Sequence, residues 1–405
     1  MKRKIYYWTK KYVTQETIRN AIVLIFTIAC IYVNKDTLNI RKILSEATES
    51  SIFSTILLLV IATLLFQFIS NVLLKYSEDD AKIYSSADKI MQKYPLAKAL
   101  TVTVENKECK YPMEELWAKA ENNNPIFEVI DDEKSFYQPP AQISKHFDEI
   151  YEAHAKSIVY NRINIRLKDF VEESNKITLY TERVKFYDTL VTNRAMDLKW
   201  GDGYTVRELY EPGPFFTPLK ESKLANHLGG NGLVETSDGF FALMKNPITV
   251  SIEKNMYNFA VTGPLKIEDT INKDSHRIES IDDICSALRK KVIKDLNLGA
   301  EANNKGSIEK IKLTQDNLLG IYRDMAEGGK PHYLYYVKIP FSAKAVDDLY
   351  NKMDKSATDS RKITWINRKD FLNGKPYDKG IIYGGKKYKM VDSTIGLLLK
   401  CKEYV

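Results

Sequence analysis

The sequence predicts an α/β sandwich preceded by a transmembrane hairpin of two helices, and three observations lead to this fold class. Residues 52–74 contain no charged side chain. After residue 160 the order of patterns is a strand hairpin, a helix, further strands and a helix, which is typical of α/β architectures. The chain has 405 residues, of which 44% are hydrophobic and 11% aromatic, so it can fill a sizeable core in two or three domains.

Two apolar segments near the N-terminus are expected to cross a membrane. At about 1.5 Å per residue, a helix over residues 52–74 is about 34 Å long and exceeds the roughly 30 Å of bilayer hydrocarbon. Residues 21–33 reach that length when residues 14–20 join them and Arg19 extends to the interface. Basic residues before the first span predict a cytoplasmic N-terminus. The expected location is therefore the inner membrane, with two spans and both termini in the cytoplasm.

Polar side chains recur every four residues in the second span, as Thr63, Gln67 and Asn71. This step places them on one helical face, and amide groups are costly against lipid. Two interpretations stay open: the face is a seam between the two helices of the hairpin, or it is a self-association face that can become a pore. Two helices cannot enclose a water path, so a pore requires a homo-oligomer in the lipid bilayer.

The sequence predicts three segments. Residues 1–75 are expected to form the transmembrane hairpin, residues 76–155 a mainly helical connector, and residues 156–405 a sensor domain. Helices are expected in the connector at residues 80–93, 113–122 and 143–159. The formal net charge is +7, and the first twenty residues, with six basic side chains and one acid, account for much of this excess. A patch that flanks a membrane explains this excess better than a duplex nucleic acid partner does.

The sensor segment alternates strand and helix patterns. Residues 233–244 predict a hairpin, because Asp238-Gly239 is a turn signal between two apolar runs. A helix is expected at residues 282–298. The other predicted strands are at residues 163–167, 177–180, 184–187, 318–322 and 333–339, and the other predicted helices at residues 343–353 and 393–400.

Residues 282–298 have the spacing of a helix that binds magnesium but little of its chemistry. Mg²⁺ takes hard oxygen ligands, so such a helix needs several carboxylates on one face. Here Lys290, Lys291 and Lys294 occupy the stretch, and the acids at the relevant positions are Asp282 and Asp295. The segment resembles the Nudix box, whose paired glutamates and preceding glutamate would fall at residues 291, 294 and 295.

The flanking segments extend this resemblance to a family. The hairpin at residues 233–244 and the strands near residues 320–339 are similar to the hairpins on either side of the Nudix box. Tyr187-Asp188, Thr192-Asn193 and residues 222–229 are similar to the extension found in the SMODS-associated NUDIX family, which often carries two membrane helices. The resemblance implies a Nudix-like α/β/α sandwich with an N-terminal extension. It also implies an effector of bacterial anti-phage signalling by cyclic oligonucleotides.

The predicted function is therefore a membrane-anchored effector whose degenerate domain binds a nucleotide second messenger from a partner nucleotidyltransferase, oligomerises and disrupts the membrane. No catalytic residue, cofactor or metal is predicted for it. The alternative is an active membrane-tethered Nudix-type hydrolase of diphosphate-linked nucleotides, which requires Mg²⁺. A third interpretation is a passive membrane scaffold with a protein partner.

Three interpretations of the box lysines also stay open. Lys290, Lys291 and Lys294 form a solvated helix face, or they contact phosphate, since ammonium groups pair well with phosphate oxygens. In the third, Asp282 and Asp295 keep a remnant metal site.

Further ligand-binding candidates are polar, basic or aromatic residues near predicted turns and strands. Turn chemistry and core packing are the competing explanations for each of them. They are Asn226, His227, Thr192, Asn193, Arg166, Arg323 and Tyr333.

Overall fold

The computed structural model describes residues 86–120, 125–154, 157, 159–201, 203–247, 250–353 and 361–405. The predicted transmembrane hairpin lies outside these residues, and so do Thr63, Gln67 and Asn71. Among the residues described, none of the helices is both long and apolar enough to span a bilayer. The described chain is a mixed α/β structure.

Fifteen strands are present in the described residues: β1 (Ala99–Val104), β2 (Lys107–Ala118), β3 (Ile126–Phe136), β4 (Ile163–Glu173), β5 (Lys176–Lys185), β6 (Gly229–Glu235), β7 (Phe240–Lys245), β8 (Tyr257–Phe259), β9 (Val261–Pro264), β10 (Leu318–Asp324), β11 (Lys330–Lys338), β12 (Ile363–Asn367), β13 (Lys375–Tyr377), β14 (Gly380–Tyr383) and β15 (Lys386–Lys389). The helices of this part are α1 (Ala87–Lys93), α2 (Ala141–Lys145), α3 (Phe147–Glu152), α4 (Phe186–Leu190), α5 (Val206–Tyr210), α6 (Ile267–Thr270), α7 (Ile281–Asp295), α8 (Lys305–Glu309), α9 (Ala343–Asn351), α10 (Arg368–Leu372) and α11 (Asp392–Cys401).

A nine-stranded mixed sheet forms the centre of the fold. Its main path is β1-β2-β10-β11-β6-β7-β12, and β9 and β8 add to β6 and β7. Strands β11 and β6 are parallel, in a register from His332↔Gly229 to Lys338↔Glu235, whereas the other pairs are antiparallel. The parallel pair brings residues about one hundred positions apart in the chain to the same end of the sheet.

Alternation along β11 divides the core into two layers. Tyr333, Tyr335 and Val337 pack in one apolar cluster with helix α7, and Leu334 packs in the other with helix α11. Successive side chains of a strand point to opposite faces, so α7 and α11 cover opposite faces of the central sheet. A three-stranded sheet, ordered β3-β5-β4, packs into the same apolar cluster as α7.

Two glycines in β6 allow the sheet to pack closely on this side. A Cβ atom at Gly230 would lie 2.6 Å from the Leu288 side chain of α7, and one at Gly232 would lie 2.4 Å from the Tyr335 ring. Both distances are shorter than carbon atoms tolerate. Glycine at these positions therefore lets α7 and the Tyr335 ring lie directly on the parallel pair.

Most predicted elements of the sensor segment are confirmed, among them the hairpin β6–β7, helix α7, strands β10 and β11, and helices α9 and α11. The strand predicted at residues 184–187 was wrong in its second half, because β5 ends at Lys185 and α4 begins at Phe186.

The predicted helices of the connector were largely wrong. Residues 113–122 were predicted helical because Glu, Leu, Ala and Lys favour helices, but β2 runs from Lys107 to Ala118 between β1 and β10. Pairing on both edges overrides local propensity there. A single helix over residues 143–159 was also wrong, since α2 and α3 are separated at His146. In its described part, residues 76–155 contain more strand than helix.

Candidate functional site

Helix α7 positions the lysines that the sequence predicts to meet a ligand. The backbone N–H of Ser280 donates to the Asp283 carboxylate (3.1 Å), which caps the first turn. Ile284, Leu288 and Val292 recur every four residues and are buried against the central sheet. The opposite side of the helix is consequently polar.

We call this polar side, together with the adjacent Lys266, the lysine face; it comprises Lys266, Lys290, Lys291 and Lys294. Lys290 donates to a backbone carbonyl of α6 (2.7 Å), and Lys291 pairs with Asp295 at 2.9 Å. The Lys294 ammonium group lies beside that of Lys266. The structure thus brings the three predicted lysines together and adds one that the sequence analysis did not select.

Adjacent ammonium groups make the lysine face electrostatically unusual. Burial, and then the neighbouring Lys294 and Arg162 cations, lowers the pKa of Lys266 to about 8. The Asp269 carboxylate, which lines the same pocket, offsets part of this repulsion, and Glu268 lies 4.0 Å from the Lys266 ammonium. An anion that accepted hydrogen bonds from both ammonium groups would relieve the remainder.

The pocket at this face is small. It is lined by Lys266, Lys291, Lys294 and Asp295 among others, and its volume is about 20 Å³. A nucleoside cannot enter such a space. An anionic group could contact the lysines only at the surface, with the rest of its molecule outside the pocket.

The two acids at box positions are far apart. Asp282 lies in the first turn of α7 and Asp295 is its last residue. Thirteen steps of about 1.5 Å separate them by roughly 20 Å along the helix axis, whereas ligands of one ion lie within about 2–2.6 Å of it. The interpretation in which Asp282 and Asp295 together hold a remnant metal site is therefore wrong.

Thr192, Asn193, Asn226 and His227 are buried, and their side chains are hydrogen-bonded within the protein. Asn193 Nδ2 donates to Asn226 Oδ1 (2.9 Å), and the Asn226 N–H donates to Asn193 Oδ1 (2.8 Å). Thr192 Oγ1 donates to a backbone carbonyl of α4 (2.7 Å). His227 Nδ1 is 2.8 Å from Thr189 Oγ1. Of the four, His227 also lines a cavity described below.

The two predicted arginines have several protein partners each. Arg166 bonds Glu182 (2.7 Å) and two backbone carbonyls, and Arg323 bonds Glu114 (2.8 Å) and two backbone carbonyls. Tyr333 is completely buried in the α7 layer. These contacts give the three side chains structural roles.

A larger cavity lies on the α11 side of the central sheet. Its volume is about 190 Å³, and Ser393 and Thr394 at the start of α11 line it together with His332 of β11. Around it is a group of side chains that we call the buried ionic cluster, consisting of Arg194, Asp324, Glu327, Lys330 and His332. Within the cluster Glu327 pairs with Lys330 and with Arg194 (3.4 Å).

The carboxylates of this cavity differ in charge state because their neighbours differ. Burial opposes ionisation of Glu327, but the Lys330 and Arg194 cations lower its pKa to about 2. Burial and the nearby Glu327 carboxylate raise the pKa of Asp324 to about 6. Burial also raises the pKa of Glu253, which lines the same cavity, to about 7. The cations therefore favour the ionised form of Glu327, whereas Asp324 and Glu253 ionise less readily.

Sequence reasoning missed Arg194, Glu253, Asp324, Glu327 and Lys330. A signal was present, because four ionisable side chains fall in residues 324–332, where β10 ends and β11 begins. Hairpin connections are normally exposed, so this pattern by itself does not mark the charges as buried. Instead Asn193 Nδ2 donates to the Glu327 carbonyl oxygen (2.8 Å), and this connection is buried beneath a distant part of the chain.

Comparison with known proteins adds no assignment to this geometry. Neither the protein-family models nor the curated proteins compared with the chain include a match.

Proposed function

We propose that this chain is a membrane-anchored effector whose Nudix-like domain senses a nucleotide second messenger without hydrolysing it. Phosphate oxygens of the messenger would contact Lys266, Lys291 and Lys294 on the lysine face. The messenger would be a cyclic oligonucleotide from a partner nucleotidyltransferase, and no duplex nucleic acid is involved.

The observation that carries this proposal is that Lys266, Lys291 and Lys294 line one small pocket, in which the Lys266 and Lys294 ammonium groups are neighbours. Holding two like charges together costs free energy unless an anion lies between or beside them. A phosphate group offers several acceptor oxygens, and its hydrogen bonds to ammonium groups are stronger than bonds between neutral groups. Phosphate oxygens of a bound messenger would relieve the repulsion between the ammonium groups, and this relief would increase the affinity.

The arrangement of elements supports the Nudix-like part of the proposal. Helix α7 follows the β6–β7 hairpin in the chain and packs on a mixed sheet with one parallel pair, and α11 covers the other face. This matches the α/β/α order that the family resemblance implies. Fold alone does not assign an activity, so the functional part depends on the lysines.

Hydrolysis is disfavoured by the chemistry of α7. A Nudix-type enzyme uses bound magnesium to position phosphate and activate water. Here Lys291 and Lys294 stand at two acidic positions of the box, and Asp295 is paired with Lys291 at 2.9 Å. The local charge attracts phosphate directly and repels the cation that would be needed for catalysis.

Membrane disruption would follow from assembly. A ligand shifts a protein toward an oligomer only when it binds the oligomer more tightly than the monomer. We propose that messenger binding favours a homo-oligomer in the inner membrane, in which the polar faces of the second span, with Thr63, Gln67 and Asn71, meet one another. The passive scaffold interpretation predicts no such response to nucleotides.

The test is calorimetric titration of the full-length chain with a panel of cyclic di- and trinucleotides. We expect one panel member to bind, and a Lys266→Gln, Lys294→Gln double variant to bind it at least tenfold more weakly, since each charged hydrogen bond contributes about 1.5–3 kcal/mol. A Lys344→Gln, Lys369→Gln variant removes the same charge from exposed positions on α9 and α10 and serves as the control. Absence of binding across the panel would contradict the proposal.

The hydrolase alternative is separated by a phosphate-release assay on diphosphate-linked nucleotides. We expect no magnesium-dependent turnover. Turnover that an Asp282→Asn or Asp295→Asn change abolishes would replace the sensor proposal with an enzyme.

A further inference from the structure

Three side chains of the buried ionic cluster direct metal-ligand atoms into one small volume. One carboxylate oxygen each from Asp324 and Glu327 and a ring nitrogen of His332 all lie within 4.8 Å of one another. The three residues are 6%, 4% and 8% exposed, respectively. Such proximity of two buried acids is unfavourable, and the Lys330 and Arg194 cations that pair with Glu327 offset part of it.

His332 gives an independent indication of a missing partner. Its Nε2 is buried and has no hydrogen-bond partner among the described residues, although the side chain lines the 190 Å³ cavity. A buried polar atom without a partner costs free energy. A metal ion binds the neutral imidazole, in which one ring nitrogen has a free lone pair.

Asn231 lies beside the other ring nitrogen. Its Nδ2 atom is 3.5 Å from His332 Nδ1, and its Oδ1 atom accepts a hydrogen bond from the Thr262 hydroxyl (2.7 Å). Metal binding at Nε2 requires the Asn231 amide to turn by 180°, so that its oxygen accepts from the Nδ1–H of the ring. Histidine ligands of metals are commonly oriented by such a bond from their second ring nitrogen.

We propose that Asp324, Glu327 and His332 bind one first-row divalent metal ion, with Mn²⁺ or Zn²⁺ as the best candidates, and that water completes its coordination. An imidazole beside two carboxylates suits these ions better than it suits Mg²⁺ or Ca²⁺, which prefer oxygen ligands alone. The cavity volume of about 190 Å³ leaves room for several water molecules beside the ion.

Lys330 acts as an internal competitor for this site. Its ammonium group pairs with Glu327, so a metal ion must take its place at that carboxylate. Lysine has a flexible stem and a point charge that can move aside or lose its proton.

This site is independent of the proposed messenger site. The lysine face belongs to α7, whereas the cavity lies on the α11 side of the central sheet. Failure of one proposal leaves the other unaffected, because the two use different residues and different probes.

The experiment is a titration of the full-length chain with Mn²⁺, in which electron paramagnetic resonance counts the free ion. We expect one saturable site per chain. His332→Ala and Glu327→Gln should each weaken binding at least tenfold, and Lys330→Met should strengthen it at least tenfold by removing the competitor. Glu211→Gln is the matched control, because Glu211 is also buried and has a pKa raised to about 7, yet lies outside the cavity.

Two further measurements test where the ion binds. A double change of Asp282→Asn and Asp295→Asn should leave Mn²⁺ binding unaltered, so its loss there would assign the ion to α7 and overturn the proposal. A readout on the unmodified chain is the electron spin echo signal of bound Mn²⁺, which should show coupling to a histidine nitrogen. Absence of saturable binding, or of that coupling, would overturn the site.

Discussion

Lys294 and Lys330 illustrate two uses of the same side chain in this protein. Lys294 is exposed on α7 and stands beside another cation, whereas Lys330 is 1% exposed and paired with Glu327. Exposed charges contribute little to stability because water screens them, so they can meet a ligand at low cost. A buried charge must keep a partner, so the ionic cluster is expected to govern stability and to accept only ligands that preserve its charge balance.

The largest expected effect is a loss of stability in the buried ionic cluster. Glu327→Gln leaves Lys330 and Arg194 without their shared carboxylate, and we expect a loss of about 3–5 kcal/mol in the free energy of unfolding. Urea denaturation in the presence of a chelator measures it. Lys291→Met breaks the more accessible pair with Asp295 and should cost at most about 1 kcal/mol. Equal losses in the two variants would remove the distinction between the regions.

The pH dependence of the cluster is the next test. The pKa of Asp324 is raised to about 6 in the folded chain, above its ordinary value of 3.8, so its ionisation destabilises the fold as pH rises from about 4 through 6. Asparagine does not ionise. The stability of Asp324→Asn relative to the unmodified chain should therefore increase by about 1–3 kcal/mol between pH 4 and pH 7.

Glu327 supplies the contrast within the same cluster. Its pKa is lowered to about 2, so the stability it contributes is present above about pH 4.5 and is lost as pH falls toward 2. The cost of Glu327→Gln should therefore shrink in acid. Parallel pH profiles for the Asp324 and Glu327 variants would contradict the assigned charge states.

Packing beneath α7 can be tested without changing any charge. A methyl group at Gly232 would lie 2.4 Å from the buried Tyr335 ring, so we expect Gly232→Ala to cost about 1–3 kcal/mol in thermal or chemical unfolding. Gly306→Ala is the control, because no atom lies within 4 Å of the added methyl group and the site is helical. There the change should stabilise by up to about 1 kcal/mol. If Gly232→Ala left the stability unchanged, the parallel pair of strands would adapt more easily than the structure implies.

The smallest expected effect is the titration of Lys266. Nuclear magnetic resonance of isotopically methylated lysines should give it a pKa of about 8, lowered by burial and by the Lys294 ammonium. Lys294→Gln should raise that pKa toward 10.5, and Lys344→Gln should leave it unchanged. Added polyphosphate should also raise it, because an anion favours the protonated form. If neither Lys294→Gln nor polyphosphate altered the pKa of Lys266, the two ammonium groups would not interact.

Sequence patterns predicted the fold better than they predicted the site. Helix α7 and the β6–β7 hairpin were visible because an apolar stripe and an Asp-Gly turn are local signals. Strand β2 was mistaken for a helix because its pairing with β10, some two hundred residues later in the chain, cannot be read from residues 107–118. For the site, local spacing on α7 found Lys291 and Lys294, but Lys266 joins them through the neighbouring segment at α6.

Local patterns predict the periodic elements, the cationic character of α7 and the charge density of residues 324–332, because each of these depends on nearby residues. Which of the charges are buried depends on tertiary contacts. The parallel pairing of β11 with β6 and the cover supplied by Asn193 place Lys330, Glu327 and His332 away from water. Because the free energy of a charge depends on solvent access and on partners distant in the chain, no local pattern could have separated this cluster from an ordinary exposed turn.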